Sequence, residues 1–176
     1  MLFTKKLSEN RKSQNRIHLA IAPLESRELL SADIWLNLAD LPVARSSADV
    51  ALLPGGKPVV IGGNLGDLNT PQITALVSRF DPVVNQWTNL ASLPEPLAGA
   101  GVASGPDGSL LVFGGQEPSN QPSNNLYRYY AGANVWTELA AMPSALSYSG
   151  SAALSQGRII SIGGENIATG EVFDTV

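Results

Sequence analysis

Side chains able to form a nucleophile–base pair or a soft metal site are scarce in this chain. It has one histidine, His18, and no cysteine. His18 lies in a basic, polar N-terminal stretch, where an ordinary solvated imidazole is the simplest reading. Activating a serine or cysteine takes an adjacent base, and zinc and copper sites draw on sets of histidines or thiolates. One histidine assembles neither, so the sequence assigns no catalytic residue, no metal site and no cofactor. The lack of cysteine also excludes disulfides but leaves the compartment open. Carboxylates remain. Asp81 and Asp174 each follow a phenylalanine, Phe80 and Phe173, and that equivalence favours two turn residues over an acid and a base. Trp35, Trp87 and Trp136 could stack on sugars, yet their even spacing argues for packing between repeated units.

That spacing reveals the elements. Each tryptophan stands seven residues before a proline (Pro42, Pro94, Pro143) and 27 before a glycine pair (Gly62-Gly63, Gly114-Gly115, Gly163-Gly164). All three residue types repeat at intervals of 52 and then 49 residues. A period near 50 marks a propeller blade or a related solenoid unit. The units share W-x-x-L-A-x-[LM]-P, then small and apolar residues, then a turn ending in Gly56, Gly108 or Gly157. Asp107-Gly108 between apolar runs is a strong hairpin signal. Next comes a continuous apolar run (PVVIGG, LLVFGG, RIISIGG), expected to be a strand buried on both faces. The glycine pair at its end permits close backbone approach or a positive-φ bend; no phosphate-loop spacing or helix pattern follows it. An aromatic-led run (VSRFDP, LYRYYA, EVFDTV) is the third strand, and the tryptophan segment is the fourth. All are expected to be antiparallel and joined by hairpins.

The N-terminal 32 residues stand apart from the repeats. They hold six of the eleven Lys and Arg, leaving five basic against twelve acidic residues in the remainder, about −7. Nucleic acid is therefore excluded as an expected partner, because phosphate binding needs clustered cations. No apolar run approaches the roughly 18 residues of a membrane-spanning helix. A basic start, a short apolar patch and a small-residue end give residues 1–32 the outline of an export signal. Residues 24–32 (LESRELLSA) also resemble the LEPR-x-LL motif of large exported or surface proteins of planctomycete-type bacteria, with Ser26 in place of its proline. That resemblance implies an exported, extracellular or cell-surface protein. A solvated basic tail with no address function is the competing reading. Either way, 1–32 is expected to lie outside the folded region, 33–176.

The glycine pair, the following aromatic, the tryptophan six or seven residues later and the downstream Leu/Met-Pro resemble the kelch repeat. The resemblance covers residues 35–176 and implies an all-β fold: an incomplete kelch-type β-propeller of four-stranded antiparallel blades. Many kelch units carry an arginine three residues after the proline; Arg45 fits, while Leu97 and Leu146 depart from the pattern. The copper radical oxidases that resemble galactose oxidase also use kelch propellers, but the histidines of their metal site are missing here. Sialidase-type boxes end in Thr-Trp, which Ser104-Gly105-Pro106-Asp107-Gly108 lacks.

The repeats begin on a fourth strand at Trp35 and stop four residues before the tryptophan due at position 180. Propellers have about four to eight blades, so two expectations stand: an incomplete product, or two chains completing a six-bladed ring as a homodimer. The units differ most between the second and third strands, where the gap from the glycine pair to the aromatic is 17, 14 and 9 residues. Repeat proteins bind through such loops on one face. Asn64, Asp67 and Asn69 in the first loop, and Gln116, Glu117, Asn120 and Asn124 in the second, are the candidate contact residues. Exposed loops without a role are an equal reading. The function expected is a non-catalytic binding or structural module for a protein or carbohydrate ligand. The alternative is the scaffold of a carbohydrate-active or galactose-oxidase-like enzyme whose catalytic residues lie elsewhere.

Overall fold

The glycine-marked turns join antiparallel strands. In the first unit, β1 (Asp49–Leu53), β2 (Lys57–Ile61), β3 (Val77–Asp81) and β4 (Gln86–Asn89) form one sheet in the order β1-β2-β3-β4. The second repeats it with β5 (Gly101–Ser104), β6 (Leu110–Phe113), β7 (Leu126–Tyr130) and β8 (Val135–Glu138). The third contributes β9 (Gly150–Ala153), β10 (Arg158–Ile162) and β11 (Gly170–Asp174), in the order β11-β10-β9. Every pairing is antiparallel, and no helix occurs among the described residues. The fold is all-β, an incomplete kelch-type propeller. This computed structural model describes residues 37–67, 69–105, 107–154 and 158–165, and the backbone of 170–174. They belong to the compact unit Asn37–Val176. His18, the LEPR-x-LL-like segment and Trp35 lie outside the described residues, as does nearly all of the strand expected at Trp35.

Trp87 and Trp136 occupy the fourth strands expected of them. Trp87 on β4 stands opposite Phe80 on β3, and Trp136 on β8 opposite Tyr129 on β7. The ring centroids are 5.1 and 4.9 Å apart, tilted by 47° and 40°, the offset geometry that aromatic pairs prefer.

The core lies between blades rather than within them. One apolar layer sets Leu53, Val59, Ile61 and Leu97 of the first blade and its exit against Leu110, Val112 and Tyr129 of the second. The other sets Leu111, Phe113, Leu126 and Leu146 against Ile159 of the third. β6 alternates its side chains between the two layers, and all four of its residues are buried. The same is expected of β2 and β10 but is not seen. β2 is only partly buried and both ends of β10 are exposed, because among the described residues only the middle blade has a neighbour on each side. On the open flank of the first blade, Val50 and Leu52 are 63% and 57% exposed.

Candidate functional site

The propeller has two unlike faces. One carries the short turns after β1, β3, β5 and β7. The other carries the β2–β3 and β6–β7 loops and the connectors that pass from one blade to the next.

The connectors are fixed by repeated hydrogen bonds. Trp136 Nε1 donates to the Ala91 carbonyl at 2.9 Å, and Trp87 Nε1 to the Ala39 carbonyl at 2.8 Å. The same alanines donate their amides to Asn134 and Asn85. Both asparagines hold a positive φ in the turn before the tryptophan strand, a conformation asparagine tolerates better than most residues. Each blade thus grips, through backbone atoms, the connector leaving the blade before it, at the alanine of W-x-x-L-A. The glycine pairs explain themselves similarly. Gly63 donates to the Leu97 carbonyl at 2.8 Å, and Gly115 to that of Leu146 at 2.7 Å. A Cβ at Gly62 or Gly114 would collide with those carbonyl oxygens. Leu97 and Leu146, at the places where many kelch units carry an arginine, are buried in the core. Arg45 turns inward, donating to the Val60 carbonyl and the Ser78 hydroxyl, and burial lowers its pKa.

Most of the candidate loop residues hold their own loops. Asn64 Oδ1 accepts the amides of Gly66 and Gln72. Asp67 Oδ1 accepts from the amides of Asn69 and Thr70 and from the Thr70 hydroxyl; these bonds, the Thr70 amide foremost, lower its pKa. Gln116 Nε2 donates to Asn120 Oδ1, which sits on a residue of positive φ. Glu117 accepts from the Ser119 hydroxyl, and Asn124 Nδ2 donates to the Met142 carbonyl. Asn69 is exposed and lends only its amide to its loop. The loops are therefore preshaped, and they lie on one face of neighbouring blades.

Sequence reasoning missed Tyr148. Positive φ recurs at Ser47 (51°), Gly99 (58°) and Tyr148 (55°), five residues after each repeat proline. The Gly99 amide donates to the Ser47 carbonyl at 2.9 Å, and the Tyr148 amide to the Gly99 carbonyl at 2.8 Å. Glycine adopts this backbone freely, whereas an aromatic side chain does so at a cost of about 1–2 kcal/mol. The Tyr148 ring lies against Gly99, where any Cβ would collide with it. Its hydroxyl donates to Gln116 Oε1 at 2.9 Å, and 47% of the residue is exposed. The proline-plus-five register was the only signal that could have singled it out.

The opposite face offers less. A hollow of about 360 Å3 lies between Pro54, Asp107, Ser109 and Tyr130. Asp107 is occupied there, accepting from the amide and hydroxyl of Ser109, whose hydroxyl above all lowers its pKa. Asp81 serves as a turn residue: Oδ1 accepts from Val83 and Oδ2 pairs with Lys57 at 2.7 Å. Among the described residues, no three His, Cys, Asp or Glu gather as metal ligands would, and no helix is long and apolar enough to cross a membrane. One titratable group lies at a blade seam. Asp49 on β1 accepts the Ala100 amide of the next blade at 2.8 Å. Burial pushes its pKa up to about 7, against the lowering by that hydrogen bond.

Comparison with known proteins agrees with this geometry. The Kelch motif matches residues 97–143, the segment running from Leu97 through the second blade to Pro143. Beta-scruin of Limulus polyphemus is 36% identical over 99 residues, 53% of this chain and 10% of its own. Kelch-like ECH-associated protein 1A of Danio rerio is 35% identical over 89 residues, 49% of this chain and 14% of its own. Fructan 1-exohydrolase of Hordeum vulgare is 34% identical over 70 residues, 34% of this chain and 12% of its own. The chain thus spans about a tenth of the length of the curated relatives it matches. Kelch repeats are the family that these matches support.

Proposed function

We propose that this chain is a non-catalytic kelch-repeat module that binds a protein partner through the face carrying the β2–β3 and β6–β7 loops. One observation carries the reading: the loops that vary most between repeats are held in shape by their own side chains, at one end of a rigid set of blades. Preshaped loops lose little conformational freedom on binding. A Kelch motif spans the second blade, and a similar protein's name records an association with a partner. Site-specific crosslinking tests it. A photoreactive residue at Asn120 should trap a partner that one at Gly132, on the opposite face, does not. Equal trapping from both would reject the assignment.

The exposed Val50 and Leu52 on the open flank support a further part of the reading, that a second copy of this chain covers such flanks in a closed ring. Light scattering on the whole chain should then give a monodisperse dimer, and a monomer would reject it. Export to the cell surface belongs to the same proposal and rests on residues 1–32; fractionating cells that express the tagged chain checks it. The shorter match to an exohydrolase keeps a second reading open, a scaffold for carbohydrate chemistry completed elsewhere.

A further inference from the structure

We propose that two copies of this chain join head to tail, the outward flank of the third blade in one packing on the first blade of the other through the contacts that already join neighbouring blades. The inference rests on the reading that a second copy covers the open flanks, and takes it to named residues and hydrogen bonds. Both internal seams use the same pieces. Where the first blade meets the second, the Gly63 amide donates to the Leu97 carbonyl and the Gly99 amide to the Ser47 carbonyl. Where the second meets the third, Gly115 donates to Leu146 and Tyr148 to Gly99. The third blade keeps the same pieces in the same shape. Gly163 and Gly164 have φ of 71° and 127°, beside 61° and 109° at Gly62-Gly63 and 62° and 98° at Gly114-Gly115. In the first two pairs this backbone brings glycine against the carbonyl of the connector entering the next blade, where a Cβ would collide.

The residue that supplies this carbonyl stands three places after the repeat proline: Leu97, Leu146 and, ahead of the first blade, Arg45. Among the described residues the Gly164 amide and the Arg45 carbonyl have no backbone hydrogen-bond partner, and neither do the Ser47 amide and the Tyr148 carbonyl. Gly164 and Tyr148 of one copy therefore match Arg45 and Ser47 of another, donor for acceptor. The Arg45 side chain is held on its own blade by Val60 and Ser78, so its main chain is what it offers a neighbour. The apolar flanks match as well. Leu154 and Ile162 hold the places of Leu53 and Ile61, yet are 40% and 56% exposed where those two are buried. Leu53 and Ile61 pack with Leu110 and Val112 of the second blade; Pro58 and Val60 hold the latter places on the first blade, beside the exposed Val50 and Leu52. An unrelated partner would have to bring both the connector carbonyl and the apolar surface, and a second copy has both. Two copies repeat the seam twice and close on themselves, with six sheets where propellers have about four to eight blades.

Crosslinking and light scattering on the full chain test the seam. Between the first two blades the Ser104 hydroxyl donates to the Leu52 carbonyl at 3.1 Å; the matching pair across copies is Leu52 and Ala153. The chain has no cysteine, so Leu52→Cys with Ala153→Cys should react with a short bis-maleimide to give a covalent dimer. Leu52→Cys with Ser104→Cys should instead be joined within one chain and run as a monomer under denaturing conditions. Leu52→Asp and Ile162→Asp change side chains exposed in the single copy, so both should fold; each should weaken dimerisation about a hundredfold. They damage opposite sides of the seam, so a mixture of the two variants has one undamaged seam and should associate more tightly than either alone. A dimer that does not crosslink through Leu52 and Ala153, that Ile162→Asp leaves intact, or whose two variants gain nothing on mixing would overturn the seam while leaving the dimer reading in place. A parent chain that is monomeric would overturn both.

Discussion

Asp49 ties β1 to Ala100, the residue before β5 of the next blade, through a carboxyl group that does not ionise readily, and replacing it with asparagine should stabilise the protein at neutral and alkaline pH. The amide of asparagine keeps an acceptor oxygen for the Ala100 N–H and removes the ionisation. The folded-state pKa, about 7, lies above the ordinary 3.8, so the native protein holds this proton more tightly than the unfolded chain. The resulting stability is full below pH 3.8, declines through the interval and is lost above about 7. About three pH units at about 1.4 kcal/mol each set a ceiling of about 4 kcal/mol. Water reaching the partly buried carboxyl brings the expected value to roughly 2 kcal/mol. The assay is urea unfolding of the whole chain followed by tryptophan fluorescence, for the parent and Asp49→Asn, at pH 5 and pH 8. Other titrating groups are common to both proteins and cancel in the difference. Asp49→Asn should gain roughly 2 kcal/mol over the parent at pH 8 and clearly less at pH 5. An identical difference at the two pH values, or a less stable variant at pH 8, would refute the reasoning.

Other outcomes follow from the seams and loops. Trp136→Phe keeps the aromatic pair with Tyr129 but leaves the Ala91 carbonyl without its indole donor, and should cost about 1 kcal/mol in urea unfolding. Asn134→Ala removes the acceptor for both the Ala91 amide and the Tyr129 hydroxyl, at a residue of positive φ; about 2 kcal/mol should be lost. Asn134→Gly should recover only the backbone share of that loss. Gly62→Ala puts a Cβ against the Leu97 carbonyl at positive φ and should destabilise by about 3 kcal/mol or more. Gly132→Ala, with open space around it and an ordinary φ, should stay within about 0.5 kcal/mol of the parent. Asp67→Ala should leave global stability nearly unchanged while hydrogen exchange at the Asn69 and Thr70 amides rises.

Strand order, hairpin pairing and the fourth-strand place of tryptophan were legible because they rest on repeated signals: continuous apolar runs, turns ending in glycine and one register kept by Trp, Pro and Gly. Burial was less legible. The apolar runs of β2 and β10 read the same as that of β6, yet among the described strands only β6 lies between two blades. A residue's solvent exposure here depends on which blade stands beside it, and no local pattern records that. The loops were found from their length differences, but the roles of individual side chains were not. Asn64 and Asp67 look like free polar residues in sequence and turn out to be engaged with nearby amides. Tyr148 was hidden by the opposite error. Ser47, Gly99 and Tyr148 differ widely in size and shape, and their common left-handed backbone makes them one position.

The grip between blades has a bearing on how such a chain could grow. One period of sequence contains both halves of every seam contact: the tryptophan and asparagine that hold the previous connector, and the alanine that the next blade will hold. A duplication or deletion of one whole period, wherever its breakpoints fall, would leave each donor facing an acceptor of the same kind. Breakpoints differing by even a few residues would instead shift tryptophan out of reach of alanine. Changes in the number of repeats should therefore come in whole periods, with smaller length changes confined to the loops that the seams do not use.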